Sequence, residues 1–198
     1  MNDLSFGQGR PPVILGIGGT LRPYSSSELA LRLALEEARR LGAETELLVA
    51  ADLGLPMYDP AQAHHVEAAN QLLEAVRRAD CVIFATPGYH GGISGFLKNA
   101  LDYLQGLADD PDPYLHNKAV GCIVSAAGWQ AGATVLASVR ATIHALRGWP
   151  TPLGVAINSA QAPFGADGKV ADAKVGEQLA ALAGQVVTFA RARVGVHL

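Results

Sequence analysis

The sequence predicts a three-layer α/β sandwich, a five-stranded parallel sheet in the order 2-1-3-4-5 with helices on both faces. Three observations predict it. Five short apolar runs alternate with five longer segments whose apolar side chains recur at helical spacing. Most of the short runs are apolar at consecutive positions, as strands covered on both faces must be. The glycine-rich stretches of the amino-terminal half follow the first and third runs, where a doubly wound sheet reverses direction and opens a crevice at its carboxyl edge.

Val13 to Gly18 is the first strand. The next segment places Leu31, Ala34, Leu35, Ala38 and Leu41 on one helical stripe, pairs Glu28 with Arg32 and Glu36 with Arg40 on the other, and ends at Gly42. Glu44 to Ala50 reads as a second strand, less purely apolar and so nearer an edge. Pro56 and Pro60 make Asp52 to Ala61 a loop, and a second helix carries Val66, Ala69, Leu72, Leu73 and Val76 to about Asp80. Cys81 to Ala85 is the strongest strand and runs into the turn-rich Thr86 to Gly92. A helix with Ile93, Phe96, Leu97, Ala100, Leu101 and Leu104 on one face follows. Gln105 to Asn117 is an acidic loop, Ala119 to Val124 the fourth strand, and Val135, Val139, Ile143 and Leu146 mark the fourth helix. After the break at Gly148 and Pro150, Leu153 to Ile157 is the fifth strand, Asn158 to Gly168 a loop, and Val175, Leu179, Leu182, Val186 and Phe189 share one side of the last helix.

A chain of 198 residues with 49% hydrophobic and 17% charged residues is expected to form one domain, residues 1–198, with Met1 to Pro12 as a flexible leader. A net charge of -3 leaves no basic footprint for nucleic acid. No apolar run is long enough to span a bilayer, so neither nucleic acid nor membrane is an expected partner, and the protein is expected to be cytoplasmic. Cys81 and Cys122 fall inside strands and read as reduced core residues. His64 and His65, being adjacent, would point to different sides of a helix, which argues against a metal site.

Chemistry concentrates after the first strand, in Gly16-Ile-Gly-Gly-Thr-Leu-Arg-Pro-Tyr-Ser-Ser-Ser27. The glycines allow a sharp turn, Thr20, Ser25, Ser26 and Ser27 supply hydroxyls, Arg22 supplies a cation, and the helix that follows aims unpaired N–H groups at the same point. A dinucleotide fingerprint needs a third glycine where Leu21 stands, and no Gly-Lys-Ser or Gly-Lys-Thr closes a Walker loop. Many hydroxyls with one arginine suit a phosphate monoester, hence a mononucleotide.

Two blocks resemble the NAD(P)H-dependent FMN reductases of the flavodoxin-like superfamily. Gly19-Thr-Leu-Arg-Pro-Tyr-Ser-Ser-Ser27 is similar to that family's Gly-Ser-x-Arg-x-x-Ser-x-Asn/Ser phosphate loop. The second block, Thr86-Pro-Gly-Tyr-His-Gly-Gly-Ile-Ser-Gly-Phe-Leu-Lys-Asn-Ala-Leu-Asp102, is similar to its Pro-x-Tyr-x-x-x-x-x-Gly-x-Leu-Lys-Asn-x-x-Asp block. The resemblance implies that Thr20, Arg22, Ser25, Ser26 and Ser27 hold the phosphate of FMN. It also implies that the backbone of Pro87, Gly88, Tyr89, His90 and Gly91 borders the isoalloxazine, and that the loop from Ser125 to Trp129, Ser125 and Gly128 foremost, approaches the other end of the flavin. Three positions depart from the pattern: many members have glutamate at Gly88, proline at Ser94, and two glycines within Ala126-Ala127-Gly128.

The resemblance further implies hydride transfer from NAD(P)H to FMN N5 and onward to a small acceptor or second flavin, with no side chain acting as general acid or base. It implies small-molecule substrates, a homodimer or homotetramer, and a flavin-dependent monooxygenase as a partner able to use the reduced flavin. Lys98, Asn99 and Asp102 are expected to brace loops or subunits. The alternatives are a flavodoxin-like FMN electron carrier, which the mild charge disfavours, and a quinone, azo or metal-ion reductase on the same scaffold. A receiver-type signalling domain would need acidic residues where Gly18-Gly19 and Thr86-Pro87 stand.

Overall fold

A computed structural model describes residues 10–49 and 53–196. Residues 1–9 of the expected leader, Ala50 of the second expected strand and the start of the loop at Asp52 lie outside the described residues. The strands are β1 (Val13–Gly18), β2 (Glu44–Leu48), β3 (Cys81–Tyr89), β4 (Gly92–Ile93), β5 (Ala119–Ala126), β6 (Trp149–Pro150) and β7 (Val155–Asn158). The helices are α1 (Ser26–Arg40), α2 (Glu67–Arg78), α3 (Gly95–Tyr103), α4 (Trp129–Ala145) and α5 (Ala173–Val196).

The parallel ladder runs β2-β1-β3-β5, and both β6 and β7 pair with β5 on its far edge. The fifth position of the expected order is therefore filled by two short pieces. Trp149–Pro150 lies beside Ala119 and Val120, and Val155–Asn158 lies beside Ile123 to Ala126. Pro152, which has no N–H for the ladder, interrupts them. The side chain of Gln185 receives the Leu153 N–H at 3.0 Å and the Thr151 hydroxyl donates to the Leu153 carbonyl, so the break is hydrogen-bonded internally.

Side chains alternate across the sheet into two cores. Leu15, Ile17, Val82, Phe84, Val120, Cys122 and Val124 pack under α2, α3 and α4, whereas Ile14, Cys81, Ile83, Ala85 and Ile123 pack under α1 and α5. A fully buried Phe84 contributes about 2–3 kcal/mol by burial alone. α1 ends as expected: Gly42 sits at φ +87°, its N–H donates to Arg39 at 2.8 Å, and Ala43 reaches back to Ala38 at 3.0 Å.

Several expectations change. Arg40 pairs with Glu37 at 2.8 Å rather than with Glu36, while Glu28–Arg32 forms as expected at 2.7 Å. Leu104 leaves α3 for a short 3-10 turn, Leu104–Leu107. Phe189 is 38% exposed and turned away from the α5 stripe. His64 and His65 lie in a 3-10 turn, Ala63–His65, whose tighter winding lets their rings touch, centroids 3.8 Å apart. Both cysteines are buried, and burial pushes each thiol up to about 12.

Candidate functional site

The loop after β1 is built differently from its sequence reading. Gly16, Gly18 and Gly19 do not have positive φ, and the residue that turns the chain is Tyr24, at φ +55°. Glu28 Oε2 accepts the Tyr24 N–H at 3.2 Å, and its other oxygen accepts from Arg32 Nε at 2.8 Å. The glycines serve close approach instead. A Cβ on Gly16 would lie 2.6 Å from Leu35 Cδ1, so the missing side chain lets α1 settle on the sheet. Thr20, 7% exposed, accepts the Arg22 N–H at 3.1 Å. Ser25 caps α1 by accepting the Glu28 N–H at 3.3 Å, and its hydroxyl lies 3.2 Å from that of Ser27. Helical geometry leaves the first N–H groups of α1 pointing outward past these hydroxyls. Among the described residues the Arg22 side chain has no ion-pair partner.

β3 runs four residues beyond its expected end before turning back. Gly88 pairs with Ile93 and Tyr89 with Gly92, and the turn is His90-Gly91 at φ +51° and +78°. Two left-handed central residues match the right-handed twist of the flanking strands. This hairpin leans over β5, where Pro87 sits opposite Ser125. Ser94 joins the two loops. Its hydroxyl donates to the Gly19 carbonyl at 2.6 Å and accepts the Leu97 N–H at 3.1 Å, and its own N–H donates to Thr86 Oγ1 at 3.1 Å.

Between these loops lies a cleft of about 280 Å³, near the lower end of the range for small-molecule sites. Thr20, Arg22, Ser25, Ser26 and Ser27 line one end, Pro87, Gly88 and Tyr89 one wall, and Ser125 the other. Nine of the twelve residues singled out from sequence meet here. The other three stand nearby: His90 and Gly91 form the exposed hairpin tip, and Gly128 is the residue before α4. Ala126 and Ala127, inside the expected Ser125 to Trp129 loop, also line the cleft, whereas sequence reasoning passed over Tyr24 and Ser159. Ser159 follows β7, and a loop at the carboxyl end of the fifth strand was a signal available for it.

The helix block after the hairpin braces rather than lines. Asn99 holds the 56–58 loop from both ends of its amide, accepting the Tyr58 N–H and donating to the Pro56 carbonyl, each at 2.8 Å. Lys98 and Asp102 form an exposed pair four residues apart.

The family profile of NADPH-dependent FMN reductases matches residues 12–162, which contain both loops and all seven described strands. The chain belongs to this family. An NADPH azoreductase of a Bacillus species is 30% identical over 91% of this chain and 92% of its own. An NAD(P)H-dependent FMN reductase of Pseudomonas aeruginosa is 33% identical over 83% and 87%. Among solved structures, FerB, a flavoenzyme NAD(P)H:(acceptor) oxidoreductase from Paracoccus denitrificans, superposes with a TM-score of 0.75 at 19% identity, covering 93% of this chain and all of that one. The last likeness concerns the flavodoxin-like fold alone. As a member of the FMN reductase family, the chain is an oxidoreductase that works with FMN and a nicotinamide donor. No helix among the described residues is long and apolar enough to cross a membrane.

The cleft fits the flavin mononucleotide on its own chemistry. Three hydroxyl side chains at a helix N-terminus, a buried threonine and an unpaired arginine form a donor set for a phosphate dianion; among the described residues no lysine lines the cleft and no metal-ligating cluster is found.

Proposed function

We propose that Thr20, Arg22, Ser25, Ser26 and Ser27 hold the FMN phosphate and that Pro87 to Gly91 border the ring, with Ser125 and Gly128 toward its far edge. FMN, when bound there, supplies the hydride-accepting chemistry between NAD(P)H and a small acceptor. The chain's own contribution is positional. With FMN bound there, the α1 N-terminus and Arg22 would neutralise the phosphate, the hairpin and the loop after β5 would hold the ring, and backbone N–H groups of these turns would stabilise the negative charge that reduction adds. No side chain in the cleft has the burial and charge partner of a general acid or base.

The observation that carries this reading is the convergence of the hydroxyl loop and the hairpin on one cleft. Arg22→Ala removes one charge-assisted contact worth about 1.5–3 kcal/mol, so FMN affinity is expected to fall by roughly tenfold to a hundredfold with little change in melting temperature. Flavin fluorescence titration reads the affinity. Equal dissociation constants for wild type and variant would refute the phosphate assignment.

Quinone and azo acceptors are consistent with this cleft, which is open and flanked by Leu21, Tyr24, Tyr89 and Trp129, all more than half exposed. The same apolar rim supports a homodimer or homotetramer in which a second copy completes the wall over the ring, in a cytoplasmic protein. A monomer in sedimentation at micromolar concentration would contradict that assembly.

A further inference from the structure

A second cavity, of about 250 Å³, lies at the opposite end of the sheet. It is lined by Arg77, Asp110, Asp112, Tyr114, Lys118 and Arg193 among others. Lys118 immediately precedes β5, and the seven steps along that strand to Ser125 and the cleft span about 23 Å. Neither the family pattern nor the reductase reading uses this place.

Lys118 is unlike the other three lysines of the chain. Lys98, Lys169 and Lys174 are exposed. Lys118 is 3% exposed, and its ammonium donates to the Ala79 carbonyl. The carboxylates around it are engaged elsewhere: Asp80 by Arg10 at 2.7 Å, Asp110 by Arg77 at 2.7 Å, and Asp112 by Arg193 at 3.6 Å. Among the described residues Lys118 forms no ion pair. Arg193 adds a like charge beside it, held there by hydrogen bonds from its guanidinium to the Asp80 and Asn117 carbonyls at 3.3 Å. Cys81, whose thiol burial keeps neutral, and Tyr114 are the remaining titratable neighbours. Burial, then Arg193, lowers the Lys118 amine to about 8, so roughly a tenth is uncharged at pH 7 and about half at pH 8.

We propose that Lys118 is a carbon dioxide site, where the uncharged amine forms a carbamate whose carboxylate projects into the cavity toward Arg193. The nitrogen lone pair forms a bond to the carbon of CO2, one C–O π bond opens to give the carboxylate oxygen, and the amine releases one proton to water. Nothing is oxidised or reduced. The nitrogen keeps one hydrogen, which continues to donate to Ala79. The change turns an unpaired cation beside Arg193 into an anion beside it, and so replaces repulsion with a charge-assisted hydrogen bond. An exposed lysine lacks all three conditions: a free amine, a neighbouring cation and a walled cavity.

The test exposes the full chain to isotope-labelled carbon dioxide at pH near 8, traps carbamates by ethylation with a trialkyloxonium salt, and maps the label by peptide mass spectrometry. The expected result is labelled ethoxycarbonyl on Lys118 in excess over Lys98, Lys169 and Lys174, which serve as comparators within the same molecule. Arg193→Met is expected to lower the trapped fraction at Lys118 by roughly tenfold. An unlabelled Lys118, or label no greater there than on the three exposed lysines, would overturn the proposal without any variant needing to fold. A trapped fraction unchanged by Arg193→Met would overturn the role given to that arginine.

Discussion

Replacing Ser94 by alanine tests the geometry of the proposed flavin cleft most directly, because one buried hydroxyl holds its two loops together. Ser94 is 2% exposed, and its Oγ serves Gly19 O as donor and Leu97 N–H as acceptor. Without that oxygen, α3 loses its N-cap, at about 1 kcal/mol, and the Gly19 carbonyl is stranded where water has no room, at about 1–3 kcal/mol. The sum is about 2–4 kcal/mol. A chain of this size loses about 2–4 °C per kcal/mol, so the midpoint should fall by about 5–15 °C. Gly19 precedes Thr20, so flavin affinity should fall with it. Ser94→Thr keeps a hydroxyl and should recover most of both losses. Thermal unfolding followed by far-ultraviolet dichroism, with flavin titration on the same samples, measures the two effects. A Ser94→Ala midpoint within about 1 °C of wild type would mean that the hydroxyl does not hold the loops, and the magnitudes used here would be wrong.

Gly88→Ala would place a Cβ 3.1 Å from Ala126 Cβ and 3.2 Å from Val135 Cγ2, costing about 1–2 kcal/mol. Ala126→Gly in the same chain should return part of that loss, and purely additive urea-unfolding energies for the pair would sink the claim that they touch. Lys118 gives a pH dependence with a definite sign. Its amine is lowered from 10.5 to about 8 in the folded chain, so the burial penalty is fully present below about 8 and disappears as pH rises to 10.5. Stability should therefore rise across that window by up to ~3 kcal/mol relative to Lys118→Met, in buffers freed of carbon dioxide. The same slope in both proteins would exclude Lys118 as its source.

The strand order was readable because a strand buried on both faces leaves a plain trace, as in Cys-Val-Ile-Phe-Ala from 81 to 85. The cleft residues could be singled out because four hydroxyls and an arginine gather at one strand-to-helix junction, more donors than the Ser25 cap and the Thr20 turn require. What escaped were features set by three-dimensional contact. The extension of β3 through Pro87 depends on pairing with Ser125 and Ile93, neither of which is a local property. The left-handed Tyr24 is stabilised by Glu28 four residues on, and propensity alone would have given that conformation to a glycine. The split fifth strand follows from Pro152 and from Gln185 on a helix more than thirty residues away. Asn99 read as a brace, and it is one, but its partners at Pro56 and Tyr58 lie in a segment that carries no periodic signal.

The departures from the reductase pattern, which looked like separate defects in sequence, are resolved by contact. Ser94 sits at φ -56°, the value a proline ring would impose, so the backbone accepts either residue without moving. Serine then adds three hydrogen bonds that proline could not make: its Oγ donates to the Gly19 carbonyl and accepts the Leu97 N–H, and its own N–H donates to Thr86 Oγ1. Gly88 and Ala126 form the second case. The Cβ missing at 88 would collide with the Cβ present at 126, so a larger residue at the first position calls for a smaller one at the second. A chain with glycine in the hairpin and alanine in the facing loop fills the same gap as one with the sizes reversed. Ser94 keeps the loop separation and the Gly88–Ala126 pair keeps the wall thickness. Family membership is therefore compatible with these departures, because in this chain the Ser94 hydrogen bonds and the Gly88–Ala126 approach supply the packing between the two loops.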